Sequence, residues 1–189
     1  MKSIQLLCAT LVLLFAFTSC SDSNDNPIVI DDNPLAEYTL LTQMTSNNHT
    51  IEVYSEDDQF TIGYNELFLR IKDEASESYF SNAEVSWKPM MHMTEMMHSC
   101  PYSNIEKTDN VSVYKGFTVF QMPGNVDEYW ELEMEYTVDG QTYNTTQRIE
   151  VKAPVDDKKR VSVFMGTDDA RYVLAMMPLE PEVAVNDFS

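Results

Sequence analysis

Short segments of alternating apolar and polar residues make up most of the chain between residues 37 and 152. Alternation with a period of two predicts β-strands that bury one face. The predicted strands are 37–44, 49–54, 60–72, 83–93, 111–122, 129–138 and 141–152. No segment has the period of a long amphipathic helix, so the pattern predicts an all-β fold, an antiparallel β-sandwich.

Turn residues separate several of these strands. Asp139-Gly140 is the strongest β-hairpin signal in the chain, and Asn47-Asn48 marks another turn. Within the segment 60–72 the apolar positions change phase around Asn65, which predicts a bulge or bend there. Trp87 and Trp130 are expected to pack as core aromatics between the two sheets.

The N-terminus has the composition of a targeting segment. Lys2 precedes an apolar run, residues 4–17, that is too short to span a membrane comfortably. The run ends in Thr18-Ser19-Cys20, which resembles the lipobox of bacterial lipoproteins. The polar residues 21–25 that follow resemble the export signal of surface lipoproteins of the Bacteroidota.

These resemblances imply a lipoprotein signal peptide at residues 1–19 and a flexible tether at residues 20–36. Acylation of Cys20 would attach the mature protein to the outer membrane of the cell envelope, on the periplasmic or the surface-exposed side. The alternative is an ordinary secretory signal peptide without lipid. The predicted sandwich domain then occupies residues 37–154.

Residues 155–189 are predicted to be a linker and the truncated start of a second, similar domain. The sequence from Leu40 onward matches the sequence from Val161 onward without a gap, at an offset of 121 positions. The order of strand, turn, strand and acidic turn is shared, which indicates an internal repeat. Chance similarity of two hairpins is the alternative. We expect segments 161–164 and 172–177 to be strands that are poorly buried.

The charge of the chain excludes one class of partner. The formal net charge is −19 and the sequence pI about 4.2. Binding to nucleic acid needs Lys and Arg to replace the counterions of the phosphates, so we expect no nucleic-acid partner. No nucleophile elbow or phosphate-binding loop is present in a chain with only five glycines, and the sequence does not predict an enzyme.

The most unusual segment is 90–101, which is rich in methionine and contains two of the three histidines. Thioether sulfur and imidazole nitrogen together suit Cu(I), a soft ion. Methionine is also a flexible filler of apolar gaps, so plain packing is the alternative. The candidate metal ligands are His92, His98, Met93, Met96, Met97 and Cys100, with Met122 at the end of a neighbouring strand.

Counting cysteines leaves Cys100 without a partner. Cys8 lies in the predicted signal peptide, and Cys20 is the predicted site of lipidation. If both are committed in this way, no disulfide can form within the mature chain. A single thiol in an oxidising compartment is commonly buried or metal-bound.

Residues 60–152, about half of the chain, resemble the YtkA-like family of secreted Ig-like β-sandwich domains. The segments that carry the resemblance are 63–69, 89–93, 98–101, 114–116, 120–122 and 129–132. In that family, Met and His residues at a strand end and in the following loop are associated with proposed copper handling. The resemblance therefore implies an Ig-like fold and an envelope lipoprotein that binds copper or passes it to or from a partner protein. The alternative is a non-metal Ig-like module that binds a partner protein or a glycan.

Overall fold

The computed structural model describes residues 33–156 and 158–177, and the predicted signal peptide and most of the tether lie outside these residues. All regular secondary structure in the described part is β, so the predicted all-β fold is confirmed. No helix there is long and apolar enough to cross a membrane. The strands are β1 (Thr39–Ser46), β2 (His49–Ser55), β3 (Phe60–Thr61), β4 (Gly63–Asp73), β5 (Ser78–Tyr79), β6 (Glu84–His92), β7 (Met97–Ser99), β8 (Glu106–Lys107), β9 (Tyr114–Phe120), β10 (Tyr129–Val138), β11 (Gln141–Ile149), β12 (Val151–Lys152), β13 (Val161–Met165) and β14 (Arg171–Ala175).

Two antiparallel sheets form the layers of an Ig-like sandwich. The first sheet has the order β1-β2-β4-β9-β8, with β5 paired to β4, and the second has the order β11-β10-β6-β7. A short parallel ladder joins β3 to β12, and β13 pairs with β14. The predicted antiparallel sandwich is thus the observed architecture.

The core lies between the inner faces of the two sheets. Ile51, Leu67 and Leu69 from the first sheet are fully buried, and so are Trp130 and Leu132 from the second. Burial of an apolar side chain of this size is worth about 1.5–3 kcal/mol, so this layer supplies most of the stabilisation. The shared core explains why the strands alternate in sequence.

Both predicted core tryptophans are buried, which confirms that expectation. Each indole satisfies its N–H with a backbone carbonyl. Trp130 Nε1 donates to the carbonyl of Met122 at 2.9 Å, and Trp87 Nε1 donates to the carbonyl of Ser103 at 2.8 Å. These bonds remove the cost of burying an unpaired polar group.

The two predicted turns are present as two-residue hairpin connections. Asn47 and Asn48 have φ angles of 51° and 65°, and Asp139 and Gly140 have φ angles of 49° and 76°. Positive φ at both central positions matches the right-handed twist of the flanking strands. Asn, Asp and Gly tolerate this conformation better than other residues.

The predicted strand 60–72 is divided in two, because the extended conformation is interrupted between β3 and β4. Gly63 has a φ of 112°, and the buried Asn65 amide donates to the carbonyls of Thr61 and Gly63 at 2.8 and 2.9 Å. The Asn65 side chain also accepts from the N–H of Thr61 at 2.9 Å. Because the Asn65 side chain bonds to these backbone groups, they are not left unpaired where the strand changes phase.

Strand β1 changes phase as well, at a bulge between Leu40 and Thr42. Alternation alone groups Leu40 with Met44 on one face, yet Leu40 is 42% exposed while Met44 is 3% exposed. Leu41 packs against the core instead. An inserted residue moves every following side chain to the other face, which explains the difference.

Candidate metal centre

The Met/His segment continues β6 as a β-hairpin, where the sequence indicated a loop. Strand β6 runs to His92, residues 93–96 form the turn, and the chain returns as β7. The N–H of Met93 donates to the carbonyl of Met96 at 2.9 Å and closes the turn. Successive side chains of a strand point to opposite faces, so the hairpin divides the candidate ligands between two faces.

The register places the two imidazoles on opposite faces of the hairpin. His92 lies opposite Met97, and His98 lies opposite Met91. Residues opposite each other across a ladder share a face. Met91 is fully buried, so His98 is on the inner face and His92 on the outer face.

His92 is surrounded by residues of β10. Its ring stacks on Tyr129, with centroids 4.7 Å apart and an angle of 8° between the planes. Nε2 lies 3.0 Å from Oε2 of Glu131, within ion-pair distance. The nitrogen is buried, but its geometry towards this carboxylate does not make a hydrogen bond, and no other group of the described residues bonds to it. The guanidinium of Arg148 packs on the same tyrosine ring at 4.1 Å.

Thioethers collect at the turn of the hairpin. Met93 and Met96 line an open pocket of about 290 Å³ together with Glu95 and Glu128. Met96 and Met97 are 60% and 54% exposed, which is unusual for methionine. Two thioethers and two carboxylates therefore line this pocket, and one of the thioethers belongs to Met93, the residue after His92.

His98 belongs to the core side of the second sheet. Its Nδ1 lies 3.0 Å from the carbonyl of Ser99, and the ring meets the edge of Trp130 at a centroid distance of 6.0 Å. The His98 ring thus packs against the buried tryptophan, and the contact with Ser99 uses part of its hydrogen-bonding capacity.

Cys100 and Met122 also lie towards the core. Cys100 is a free thiol that is 5% exposed, and burial raises its pKa to about 12. The thiolate is the form that binds metal, so burial opposes a metal–thiolate bond at neutral pH. Met122 packs partly buried against the main core.

The structure thus pairs His92 with Met97 and brings Met93 and Met96 to one pocket, while His98, Cys100 and Met122 lie towards the interior. Among residues 33–156 and 158–177, no three His, Cys, Asp or Glu side chains are grouped as a metal site would need. Methionine thioethers are not among these side chains, so the copper ligands predicted from the sequence remain a prediction. Glu131 could not be predicted from the sequence as a neighbour of His92, because only the pairing of β10 with β6 brings the two residues together.

The fold defines the chain as an all-β protein of the antiparallel Ig-like sandwich class. No protein-family model matches the sequence. No curated protein matches it at a significant level. The YtkA-like resemblance therefore remains a prediction from the sequence.

Proposed function

We propose that this chain is a copper-binding lipoprotein of the cell envelope, and that the outer face of the β6–β7 hairpin holds Cu(I). His92 is the central ligand of this site. The observation that carries the proposal is its Nε2, a buried nitrogen without a hydrogen bond. If the ring is neutral with its proton on Nδ1, Nε2 has a lone pair that a metal ion can bind.

Methionines of the same hairpin supply the soft donors. Met97 lies opposite His92 and on the same face, and β-carbons of such a pair are about 5 Å apart. The exposed thioethers of Met96 and Met97 keep rotamer freedom, so they can turn towards an ion, whereas Met93 is partly buried against the core. Thioethers need no deprotonation, and they favour Cu(I) over hard cations.

The carboxylate of Glu131 favours a cation at this position. Its Oε2 lies 3.0 Å from the proposed ligand nitrogen. The Glu131 side chain is only 24% exposed, and Coulombic attraction is stronger in such a partly buried position than in bulk water. Lipidation of Cys20, predicted from the sequence, would hold the domain at the membrane. There it would accept copper from a partner protein or pass copper to one.

Titration with Cu(I) against a competing chelator tests this proposal. The protein is the full chain with Cys20→Ser, which cannot be lipidated. We expect one Cu(I) per chain, and we expect His92→Ala to weaken binding by at least about tenfold, the usual loss for residues that support a metal site. Met97→Leu keeps the volume and removes the sulfur, and we expect a smaller loss.

His98→Ala is the matched control, since this histidine belongs to the inner face of the same hairpin. We expect it to leave the affinity for Cu(I) unchanged. Circular dichroism of each variant establishes that the sandwich is folded. Equal affinities of the wild type and His92→Ala would reject the proposal and leave the interaction module as the remaining function.

A further inference from the structure

Five methionines of the described residues are more than half exposed to solvent, although methionine usually lies in the core. Met96 and Met97 lie in the β6–β7 hairpin, whereas Met165, Met176 and Met177 lie at the end of β13 and after β14. A thioether reacts with an oxidant that reaches its sulfur, and the product is methionine sulfoxide. The fold therefore leaves these five sulfurs open to oxidation.

Two of the exposed methionines belong to the proposed copper site. Met97 lies opposite His92 on the outer face of the hairpin, and Met96 lines the open pocket at the turn. A soft metal ion and an oxidant both react with the lone pair of the thioether sulfur. The exposure that lets these two side chains bind Cu(I) therefore also makes them the reactive methionines of the site.

The core methionines lie in the opposite environment. Met91 is on the inner face of the same hairpin and is fully buried, and Met44 and Met134 are buried in the core between the sheets. An oxidant has no access to these sulfurs, and a polar sulfoxide there would have to be buried in apolar surroundings. We therefore expect oxidation of the folded protein to be confined to the exposed methionines.

The backbone of the β6–β7 hairpin does not depend on the exposed sulfurs. The N–H of Met93 donates to the carbonyl of Met96 at 2.9 Å, and Met97 lies opposite His92 across the ladder. A sulfoxide at Met96 or Met97 adds one oxygen to a side chain in solvent and leaves this pairing in place. Oxidation should therefore alter the donor atoms of the site while the fold is preserved.

Reaction with a hypohalous acid transfers two electrons from the sulfur to the halogen. The sulfur donates its lone pair to the halogen and hydroxide leaves. Water then adds to the sulfur, halide leaves, and two protons are lost, one of which neutralises the hydroxide. Each thioether and each hypohalous acid thus give one sulfoxide, one halide and one proton. The sulfoxide presents oxygen, a hard donor, where Cu(I) favours soft sulfur.

We infer that Met96 and Met97 are a modification site at which a hypohalous acid switches off copper binding. Oxidation of both thioethers to sulfoxides releases Cu(I) from the outer face of the hairpin, while the sandwich stays folded. The inference rests on the proposed function, since it concerns the same ligands, and it adds a redox-sensitive control to them. Reduction of the sulfoxides restores the soft donors.

Limited oxidation followed by titration with Cu(I) tests this inference. The full chain with Cys20→Ser is treated with a small excess of hypochlorous acid over the exposed methionines, and mass spectrometry of its peptides locates the added oxygen. We expect sulfoxide at the five exposed methionines and none at Met44, Met91 or Met134. The oxidised protein should bind Cu(I) about tenfold more weakly or worse, the usual loss at a perturbed metal site. Treatment with methionine sulfoxide reductases and a thiol should restore the affinity.

Two double variants provide the controls. Met96→Leu with Met97→Leu lacks both sulfurs, so oxidation should not lower its remaining affinity for Cu(I). A further loss in this variant would assign the effect to another side chain, such as His92, and would overturn the inference. Met176→Leu with Met177→Leu removes two exposed sulfurs outside the site, and it should keep both the affinity and the loss on oxidation.

The outcomes separate this inference from the proposed function. If the untreated protein does not bind Cu(I), the proposed function is rejected and the inference is rejected with it. If the untreated protein binds Cu(I) and the protein with sulfoxide at Met96 and Met97 binds it equally well, only the inference is overturned. Circular dichroism that shows unfolding on oxidation would also overturn it, because the loss of copper would then follow from the loss of the fold.

Discussion

Cys100 and Tyr54 show how burial changes single side chains. Burial raises the pKa of the Cys100 thiol from 9.0 to about 12. Burial, together with the hydrogen bond to Glu52, raises the pKa of the Tyr54 hydroxyl from 10.0 to about 12. In both cases the folded state favours the protonated form, because a charged thiolate or phenolate would be poorly solvated there.

The raised pKa of Cys100 predicts a loss of stability at alkaline pH. The contribution of the neutral thiol is complete below pH 9 and is lost as the pH rises through 12. We expect the free energy of unfolding, measured with urea, to fall more steeply over this range in the wild type than in Cys100→Ala. Each unit of pKa difference is worth about 1.4 kcal/mol.

Thiol reactivity provides the control for this prediction. Tyr54 remains in both proteins, so its ionisation contributes equally to both curves. In the native protein at pH 8, a disulfide reagent should react with Cys100 far more slowly than in urea, since the reactive thiolate is scarce and inaccessible. Equal rates in the native and unfolded protein would contradict the burial of this side chain.

At the scale of elements, tight turns fix how β-strands pair. Gly140 has a φ of 76° between β10 and β11, and nothing lies within 4 Å of where a β-carbon would be. The free-energy cost of a side chain at this position therefore comes from the positive φ of the backbone and not from a clash. The register of β10 with β11 follows directly from this two-residue turn.

Substitution of Gly140 by alanine should destabilise the hairpin without a steric clash. We expect Gly140→Ala to lower the free energy of unfolding by about 1–2 kcal/mol, the usual cost of positive φ for a residue with a β-carbon. Gly124→Ala is the matched control, because its β-carbon would make only ordinary contacts at 3.4 Å or more. If Gly140→Ala and Gly124→Ala lower the free energy of unfolding in urea by the same amount, the role of positive φ in this turn is contradicted.

At the scale of the whole molecule, acidic residues far outnumber basic ones. The chain has 31 Asp and Glu residues against 12 Lys and Arg. Three of the acidic side chains, Glu131, Glu133 and Glu135, alternate along the outer face of β10. Repulsion among like charges destabilises the compact state and is screened by salt.

This imbalance predicts that salt stabilises the fold. Raising NaCl from about 10 mM to about 500 mM shortens the Debye length from about 30 Å to about 4 Å, so we expect the Tm at pH 7 to rise by several degrees. Near pH 4.2, where the net charge approaches zero, the same change in salt should have little effect. A fall in Tm with salt at pH 7 would show that attractive ion pairs dominate instead.

The sequence by itself determined the layout of this protein. Alternation identified the main strands, Asn47-Asn48 and Asp139-Gly140 identified the turns, and the tryptophans identified the core. It did so because each of these properties depends on residues close together in the chain: a strand's period, a turn's φ angles and the burial of a large apolar side chain.

Tertiary structure decided which candidate ligands share a face. The sequence gathers His92 and His98 in one segment, but the turn and register of the β6–β7 hairpin send them to opposite faces. Glu131 reaches His92 only through the pairing of β6 with β10, about 40 positions away in the chain. The physical reason is that a strand's period is local, whereas cross-strand register follows from how the two sheets bury their common core.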